Sequence, residues 1–444
     1  MSVENMRRRI DNINSALAAN KSYYKRIRIR DYLYGQAIYN LGDYPARVYP
    51  DVTDYDRELI KRMSDMGVTL IQLHEEWNDN CRLYGADKFS SSDPAGTRNF
   101  VDLCHSFGIK VIPYVSSGYM DERDPDFREE FSPNKDDRLK SLYYNYRKCD
   151  LGHPGWRDYI IEKTKKVMDD YGFDGIYNDW GYSNFDRSLG MCVIPEGAYD
   201  PELEDALGEI YSEVKRRRGV YKLHCDRNNA PPCKDRVYDY LWIGEGVADS
   251  VPGKGKEYLP YMVPCVDANF NKEMTHEMYY AYTIPFLQFP LMKTGRAIRG
   301  ENLNLPGVTY FGGSEEKFYS EVREWNLKNP NGPYVHSLWS SIPEDVNEAA
   351  VWEKYSKLYR PMVAENSVVY MELFECTDII SKLGDGIVAS MFVNEEKYLV
   401  VSNLTDKPYE LVLKGKWKNR ETGEISSRFV IGSKKMLMLV AENG

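Results

Sequence analysis

An aspartate, Asp179, closes a short apolar stretch that runs Gly172-Phe173-Asp174-Gly175-Ile176-Tyr177-Asn178-Asp179. Side chains alternate along a β-strand, so Tyr177 and Asp179 share one face, and Asp174, Ile176 and Asn178 share the other. In a barrel of parallel strands, active sites gather at the C-terminal strand ends, which makes a carboxylate there a catalytic candidate. We therefore predict that Asp179 does chemistry and that Asp174 holds the turn before the strand.

A second carboxylate, Glu245, occupies a similar place in the stretch Trp242-Ile243-Gly244-Glu245-Gly246. Leu241, Ile243 and Glu245 share a face of the predicted strand, so Glu245 points with the core-facing set. Cleavage of a glycosidic bond needs two carboxyl groups that flank the bond, one of them protonated to assist the leaving oxygen. Asp179 and Glu245 are a candidate pair for this reaction, although a glutamate paired with an arginine at a strand end would give the same pattern.

Asp226 competes with Glu245 for the second role. Lys222, His224 and Asp226 are in phase on another predicted strand, and we expect them to converge at the same mouth. A His-x-Asp pair can instead ligate a metal, but such a site needs further ligands and the chain has only 6 histidines. We favour hydrogen bonding between sugar hydroxyls and the side chains of His224, Asp226 and Arg227, and we predict no metal and no other cofactor.

The remaining candidates lie near the ends of predicted strands and suit a sugar substrate. His74 and Glu76 follow the second strand and are in phase with Gln72. Arg296 lies in a loop bounded by glycines, where it clamps an acidic group of the substrate or forms a plain salt bridge. Aromatic rings stack on sugar faces, although each ring taken singly is more often explained by packing; the candidates are Trp77, Tyr114, Tyr177, Trp180 and Trp242.

The composition excludes several classes of protein. The 58 basic and 68 acidic residues give a net charge of −10, which argues against binding to nucleic acid because phosphate contacts need a basic surface. The first residues lack the apolar core of a secretory signal, and no apolar run is long enough to span a membrane. The 8 cysteines are scattered as singletons, which favours reduced thiols and a cytoplasmic location. The 36 tyrosines would suit contacts within a homo-oligomer.

Strand and helix patterns alternate through residues 31–364, which predicts an α/β fold and more narrowly a (β/α)8 TIM barrel. No glycine-rich phosphate loop follows any strand, which argues against a doubly wound sheet. A helix at 348–362 closes the barrel. The expected strands are 36–39, 68–73, 109–115, 174–179, 221–226 and 240–245, a seventh at either 258–266 or 284–291, and an eighth at 334–339.

Two flanking segments have a different pattern. Residues 1–30 are predicted to form a charged helical segment that leads into the barrel. Residues 365–444 carry short strands separated by polar turns, which is typical of a small antiparallel β-sandwich. Its expected strands are 368–371, 387–392, 398–403, 409–413, 429–431 and 436–440.

The stretch from Gly172 to Asp179 matches the Gly-Phe-Asp-Gly-x-Arg-x-Asp pattern that ends in the nucleophile of α-amylases, except that Tyr177 replaces the arginine. The chain resembles a retaining glycoside hydrolase of the broad α-amylase and α-galactosidase kind, and the tyrosine favours the α-galactosidase side. This resemblance implies Asp179 as the nucleophile and a second carboxylate after the sixth strand, where Glu245 lies. The stretch 399–404 also resembles the domain that follows many such barrels.

The sequence thus predicts a glycosidase that acts on a carbohydrate substrate. Asp179 would attack the anomeric carbon, and Glu245 would act first as the acid and then as the base. Two other functions stay open, because a fold does not settle an activity. One is a barrel that binds glycans without cleaving them, and the other is a metal-dependent sugar isomerase or lyase.

Overall fold

The structure describes residues in the N-terminal segment, in the predicted barrel and in the C-terminal region. The computed structural model describes residues 2–19, 23–29, 31–41, 52–73, 77, 89–91, 93–122, 124–132, 138–141, 144–179, 184–186, 191–193, 200–225, 235–243, 261–264, 275–296, 328, 348–363, 368–373, 379–380 and 382–442.

Parallel strands form the larger part of the fold and lie in two sheets within the described residues. They are β1 (Gln36–Asn40), β2 (Leu70–Leu73), β3 (Lys110–Ile112 and Tyr114–Ser116), β4 (Gly175–Asp179), β5 (Val220–Cys225), β6 (Tyr240–Ile243), β7 (Tyr261–Pro264) and β8 (Met292–Gly295). One sheet has the order β8-β1-β2-β3, and the other has the order β3-β4-β5-β6-β7. Each strand therefore lies beside its neighbour in the chain, as the alternating sequence pattern predicts.

The two sheets share β3, which Pro113 divides into two pieces. The first piece pairs with β2 and the second with β4. Proline has no N–H to donate to a ladder, so the hydrogen bonding is interrupted at this residue. At the opposite seam, the backbone N–H of Leu291, just before β8, donates to the carbonyl of Pro264 at the end of β7 over 2.9 Å.

Glycine is required at two of the strand contacts. Gly295 of β8 has a φ of +136°, and a Cβ there would lie 2.3 Å from the backbone of Asn40 in β1. Gly175 of β4 has a φ of +143°, and a Cβ there would lie 1.9 Å from the carbonyl oxygen of Val220 in β5. Neither approach is open to a residue with a side chain, so these glycines bring the strands together.

The helices that follow the strands begin and end at residues suited to those positions. The second helix starts with a capping box formed by Thr53 and Asp56 and ends at Gly67 in the left-handed conformation. Three helices begin with proline. Within the described ranges, none of the helices combines the length and the apolarity needed to cross a bilayer. The helices are α1 (Val3–Ala19), α2 (Asp54–Met66), α3 (Pro94–Ser106), α4 (Pro154–Tyr171), α5 (Pro201–Arg216), α6 (His276–Thr283) and α7 (Glu348–Val363).

A small antiparallel sheet is inserted between β3 and α4. Its strands are Tyr119–Asp121, Arg138–Ser141 and Tyr144–Lys148, with the last one in the middle. A shorter hairpin, Asn184–Asp186 with Met191–Val193, follows β4. Both insertions leave the C-terminal ends of their parallel strands, which is where loops shape a binding mouth in this architecture.

A seven-stranded antiparallel sheet forms the C-terminal part of the described structure. Side chains such as Leu399 and Leu439 on one face form a core of their own, whereas Tyr370 and Phe392 join the core of the parallel sheets. The predicted antiparallel strands are confirmed as one continuous sheet, and their arrangement as a sandwich stays a prediction. In spatial order the strands are Tyr23–Ile29, Val368–Leu373, Ile387–Val393, Lys397–Asn403, Lys435–Ala441, Tyr409–Asn419 and Ile425–Ile431.

Two predictions about the fold need correction, and the choice that the sequence left open for the seventh strand is settled. The segment 1–30 is not helical throughout, because Tyr23–Ile29 is a strand that pairs antiparallel with Val368–Leu373. Of the two segments predicted for the seventh strand, 258–266 contains β7. In the other segment, 284–291, Ile284–Phe286 forms a 3₁₀ turn. On the side of β1 away from β2, the strand that pairs with β1 is β8. The predicted eighth strand, 334–339, lies outside the described residues.

Candidate active site

Asp179, the last residue of β4, is held on both carboxylate oxygens. The hydroxyl of Tyr114 in β3 donates to Oδ2 over 2.9 Å, and Nδ1 of His224 in β5 is hydrogen-bonded to Oδ1. The Ser116 hydroxyl donates to the backbone oxygen of Asp179 over 2.9 Å. The residue is 8% exposed. Hydrogen bonds to both oxygens stabilise the negative charge and fix the plane of the carboxylate.

The register of the strands explains why these groups meet. Tyr114 lies opposite Tyr177 in the β3–β4 ladder, and Tyr177 lies opposite Lys222 in the β4–β5 ladder. Asp179 and His224 each come two residues later, so they point in the same direction at the same level. Of the three residues expected to converge at the mouth, His224 is thus in contact with Asp179.

The predicted alternation along β4 is also confirmed. The ring of Tyr177 lies 5.0 Å from that of Trp242, on the inner face with Asp179. On the opposite face, Nδ2 of Asn178 donates to the hydroxyl oxygen of Tyr221 over 2.7 Å. Tyr221 in turn stacks against Tyr211 of α5 at 6.3 Å, so this face is covered by helix.

Three predicted aromatic residues surround the carboxylate but are buried. Tyr177 is 0% exposed, Trp242 is 1% exposed and Tyr114 is 2% exposed. The His224 ring lies 4.5 Å from Trp242, and the Tyr114 ring lies 5.7 Å from Tyr177. A sugar stacks on a ring face that solvent can reach, so these residues do not form the predicted stacking platform in this structure. They pack as supports for Asp179 and His224.

Trp77 is wrongly predicted as a sugar-stacking residue. It is 0% exposed, and its Nε1 donates to the backbone oxygen of Tyr114 over 2.7 Å. Its ring makes edge contacts with Tyr171 at 5.6 Å and with Phe173 at 5.2 Å. Those two residues flank the end of α4, so Trp77 packs between helix and sheet and braces β3.

Arg296 forms the salt bridge that the sequence left as the alternative to a substrate clamp. Its Nε and Nη2 donate to the two oxygens of Asp56 at 3.0 and 2.8 Å, and Asp56 is completely buried. Burial on its own would raise the pKa of Asp56, but the hydrogen bonds and charge of Arg296, together with Thr53 and Tyr39, hold it below its ordinary value. The pKa of the Tyr39 hydroxyl is raised by its burial and by Asp56.

Asp174, at the other end of β4, has the turn-holding role that the sequence predicts. Its Oδ2 accepts a hydrogen bond from the backbone N–H of Val111 at 2.8 Å and contacts Nε2 of His105 at 2.7 Å. Lys110 lies 3.4 Å from Oδ1. The carboxylate therefore ties α3, β3 and β4 together at the N-terminal ends of the strands.

A polar contact joins β5 to β1 beneath the candidate site. Nζ of Lys222, which is completely buried, donates to Oε1 of Gln36 over 3.0 Å. In β6, the hydroxyl of Tyr240 accepts a hydrogen bond from the backbone N–H of Leu33 at 2.7 Å. Lys222 and Tyr240 are paired in register, so the interior at this level is filled by side chains from several strands.

Several predicted site residues cannot be placed within the parts of the chain that the structure describes. Among the residues it does describe, no three histidine, cysteine, aspartate or glutamate side chains converge as a metal site would require. The predicted residues that lie outside the described ranges are His74, Glu76, Trp180, Asp226, Arg227 and Glu245.

Sequence reasoning missed Tyr119, whose hydroxyl lies 2.8 Å from that of Tyr114. Tyr119 is the first residue of the inserted sheet and is 5% exposed. The one available signal is the Ser116-Ser117-Gly118 turn, which brings the chain back towards the end of β3. A contact between two hydroxyls around such a turn leaves no periodic pattern in the sequence.

The fold has clear counterparts among solved structures. An α-glucosyl transfer enzyme, XgtA, superposes with a TM-score of 0.59 at 11% identity, covering 95% of this chain and 100% of that one. A noncanonic maltogenic α-amylase, AmyB from Thermotoga neapolitana, gives 0.55 at 12% identity, covering 93% and 100%. A β-L-arabinopyranosidase of family GH27 from Geobacillus stearothermophilus, in complex with arabinose, gives 0.53 at 9% identity, covering 92% and 98%.

These similarities concern the fold. No protein-family model and no curated protein sequence matches the chain. The parallel strands with a C-terminal antiparallel sheet correspond to α-amylase-type barrels followed by a further domain. The predicted resemblance to glycoside hydrolases is thus confirmed at the level of the fold.

Proposed function

We propose that this protein is a retaining glycoside hydrolase built on a closed (β/α)8 barrel. The observation that carries the proposal is Asp179, a carboxylate at the C-terminal end of β4 with a hydrogen bond to each oxygen. Closure of the barrel is supported by the shared strand β3 at one seam and by the hydrogen bond from Leu291 to Pro264 at the other. The glycosidases among the similar structures support the reaction class by analogy.

In the proposed reaction, an Asp179 oxygen attacks the anomeric carbon of the sugar. The bond to the leaving oxygen breaks, and that oxygen takes a proton from Glu245. Water then attacks the anomeric carbon, Glu245 accepts a proton from that water, and the bond to Asp179 breaks. Retention of configuration requires a separation of roughly 5–5.5 Å between the two carboxyl groups.

The residues around Asp179 suit the first step. A nucleophilic carboxylate has to stay ionised and aligned, and Tyr114 and His224 hold it from two sides. The buried rings of Tyr177 and Trp242 exclude water from the inner side of the pair. Low exposure strengthens the electrostatic interactions in such a site.

A screen of nitrophenyl glycosides tests the proposal, with wild type and Asp179→Asn measured side by side. We expect one or a few substrates to be hydrolysed by wild type and none by the variant, while thermal unfolding shows that the variant is folded. Near-normal turnover by Asp179→Asn would reject Asp179 as the nucleophile. Sugar binding without any product, measured by calorimetry, would favour a glycan-binding barrel instead.

A further inference from the structure

The geometry points to Tyr119 as a positioning residue for Asp179, acting through the hydroxyl of Tyr114. The inference rests on the proposed function, because it assigns a role within that site. Tyr119 lies at the start of the inserted sheet, whereas Tyr114 and Asp179 belong to β3 and β4. The chain of contacts therefore links the insertion to the candidate nucleophile.

The direction of the hydrogen bonds in this chain is fixed by the number of protons. A tyrosine hydroxyl has one proton to donate. Tyr114 donates its proton to Oδ2 of Asp179, so its oxygen acts as the acceptor in the 2.8 Å contact with Tyr119. Tyr119 must be the donor in that contact. Hydrogen bonds that run in one direction polarise one another, so the donor bond from Tyr119 strengthens the bond from Tyr114 to the carboxylate.

Tyr119 is itself held in place by the base of the insertion. The backbone N–H of Cys149 donates to the carbonyl of Gly118 over 2.9 Å, which closes the insertion next to Tyr119. The indole N–H of Trp156 in α4 donates to the carbonyl of Ser117 over 2.8 Å. Because these contacts fix the turn on both sides, the Tyr119 hydroxyl has a defined position from which to orient Tyr114.

His224 makes the complementary contact on the other oxygen of Asp179. With one oxygen bonded to β5 and the other to the tyrosine chain, the carboxylate plane has little freedom to rotate. Attack at the anomeric carbon depends on this alignment, because a small misplacement of a reacting group is costly in rate. Loss of the Tyr119 hydroxyl should consequently lower kcat and leave KM almost unchanged.

Three variants test the inference: Tyr114→Phe, Tyr119→Phe and the double variant, assayed on a nitrophenyl glycoside that wild type hydrolyses. We expect kcat to fall about 10- to 100-fold in Tyr114→Phe, which loses a bond to a charged acceptor, and about 2- to 10-fold in Tyr119→Phe. The double variant should match Tyr114→Phe, because Tyr119 acts only through Tyr114. Additive losses, or a change confined to KM, would overturn the inference.

Tyr221→Phe is the matched control. It removes another buried tyrosine hydroxyl that is bonded to β4, but on the helix-facing side through Asn178. We expect it to affect thermal unfolding and to leave kcat within about twofold of wild type. A fall in kcat equal to that of Tyr119→Phe would show that the effect is general destabilisation and would overturn the inference.

A measurement that needs no turnover separates this inference from the proposed function. The hydroxyl proton of Tyr114 can be followed by NMR in protein with labelled tyrosine. We expect its resonance to shift in Tyr119→Phe and to stay in place in Tyr221→Phe. An unchanged resonance in Tyr119→Phe overturns the inference, whether or not Asp179 proves to be a nucleophile.

Discussion

The two ends of β4 carry the same pair of residue types in two different settings. Asp174 contacts His105 at the N-terminal end, and Asp179 contacts His224 at the C-terminal end. Their side chains are similarly covered, with 18% and 12% exposed. The histidines differ more, since His105 is 40% exposed and His224 is 12% exposed.

The difference between the two ends lies in what each carboxylate is bonded to. Asp174 accepts a backbone N–H from Val111, so its charge is used to hold two strands together. Asp179 accepts a hydrogen bond from a side chain, Tyr114, on the inner face of the strands. In (β/α)8 barrels the C-terminal strand ends carry chemistry and the N-terminal ends carry stability. The partners of each aspartate agree with its place along the strand, because Asp174 is bonded to the backbone whereas Asp179 is held by side chains on the inner face, as the proposed nucleophile requires.

The largest expected effect comes from replacing each aspartate by asparagine. Asp179→Asn should lower kcat on the order of 10⁴-fold or more, because it removes the proposed nucleophile. Asp174→Asn should change kcat by about twofold at most, since it lies at the opposite end of the strand. Steady-state kinetics on both purified variants checks this. Equal losses in the two variants would contradict the division between the two ends.

The positions of these two aspartates could be predicted because they follow from local periodicity. The two-residue repeat of a strand places Asp179 with Tyr177 and apart from Asn178, whatever the rest of the fold. The start of the stretch also follows from a local signal, because Gly172 ends α4 in the left-handed conformation. The same reasoning places α7 correctly.

The elements that the sequence missed depend on contacts between distant parts of the chain. The stretch Tyr23–Ile29 contains charged residues among apolar ones, and the sequence predicts it as part of a helix. It forms a strand because it pairs with Val368–Leu373. β8 is short and unremarkable in composition, and its place is set by the close approach of Gly295 to Asn40. Trp77 is of a residue type that often stacks on sugars. Its packing against Tyr171 and Phe173 at the end of α4 shows that it is a core residue.

A third carboxylate, Asp56, extends the comparison to an ion pair in which the acidic side chain is fully buried. Arg296→Met should lower the free energy of unfolding by about 3–5 kcal/mol, because it leaves the Asp56 charge buried without its partner. Chemical denaturation at neutral pH measures the loss. A loss below about 1 kcal/mol would mean that the pair behaves as a surface salt bridge.

The same pair gives a pH dependence with a defined sign. The pKa of Asp56 is lowered in the folded protein, so its contribution to stability is present above the ordinary value of 3.8 and is lost as the pH falls through the lowered value. In Arg296→Met, the arginine no longer opposes the effect of burial, so the pKa of Asp56 should rise. The stability deficit of the variant should thus shrink between pH 7 and pH 5, measured by urea unfolding at each pH. A deficit that grows on acidification would contradict this assignment.

Asp174→Asn should have its main effect on stability. The asparagine keeps the shape of the side chain but weakens the bonds to Val111 and to the two side chains beside it, His105 and Lys110. We expect a loss of about 1.5–3 kcal/mol, the range for hydrogen bonds to a charged group. The midpoint and slope of denaturant unfolding measure it. No loss would mean that the turn is held by the backbone alone.

The smallest effects should come from replacing the two histidines. These variants test whether the difference between the two ends of β4 extends from the aspartates to their histidine partners. His105→Leu removes a partly exposed pair and should cost less than about 1 kcal/mol of stability, with kcat unchanged. His224→Leu should lower kcat about 10-fold, because Oδ1 of Asp179 loses its partner. His224→Asn places an amide donor near the position of Nδ1 and should recover part of that loss. Recovery by asparagine distinguishes a hydrogen-bonding role of His224 from simple filling of space, since asparagine fills the site less well than leucine does.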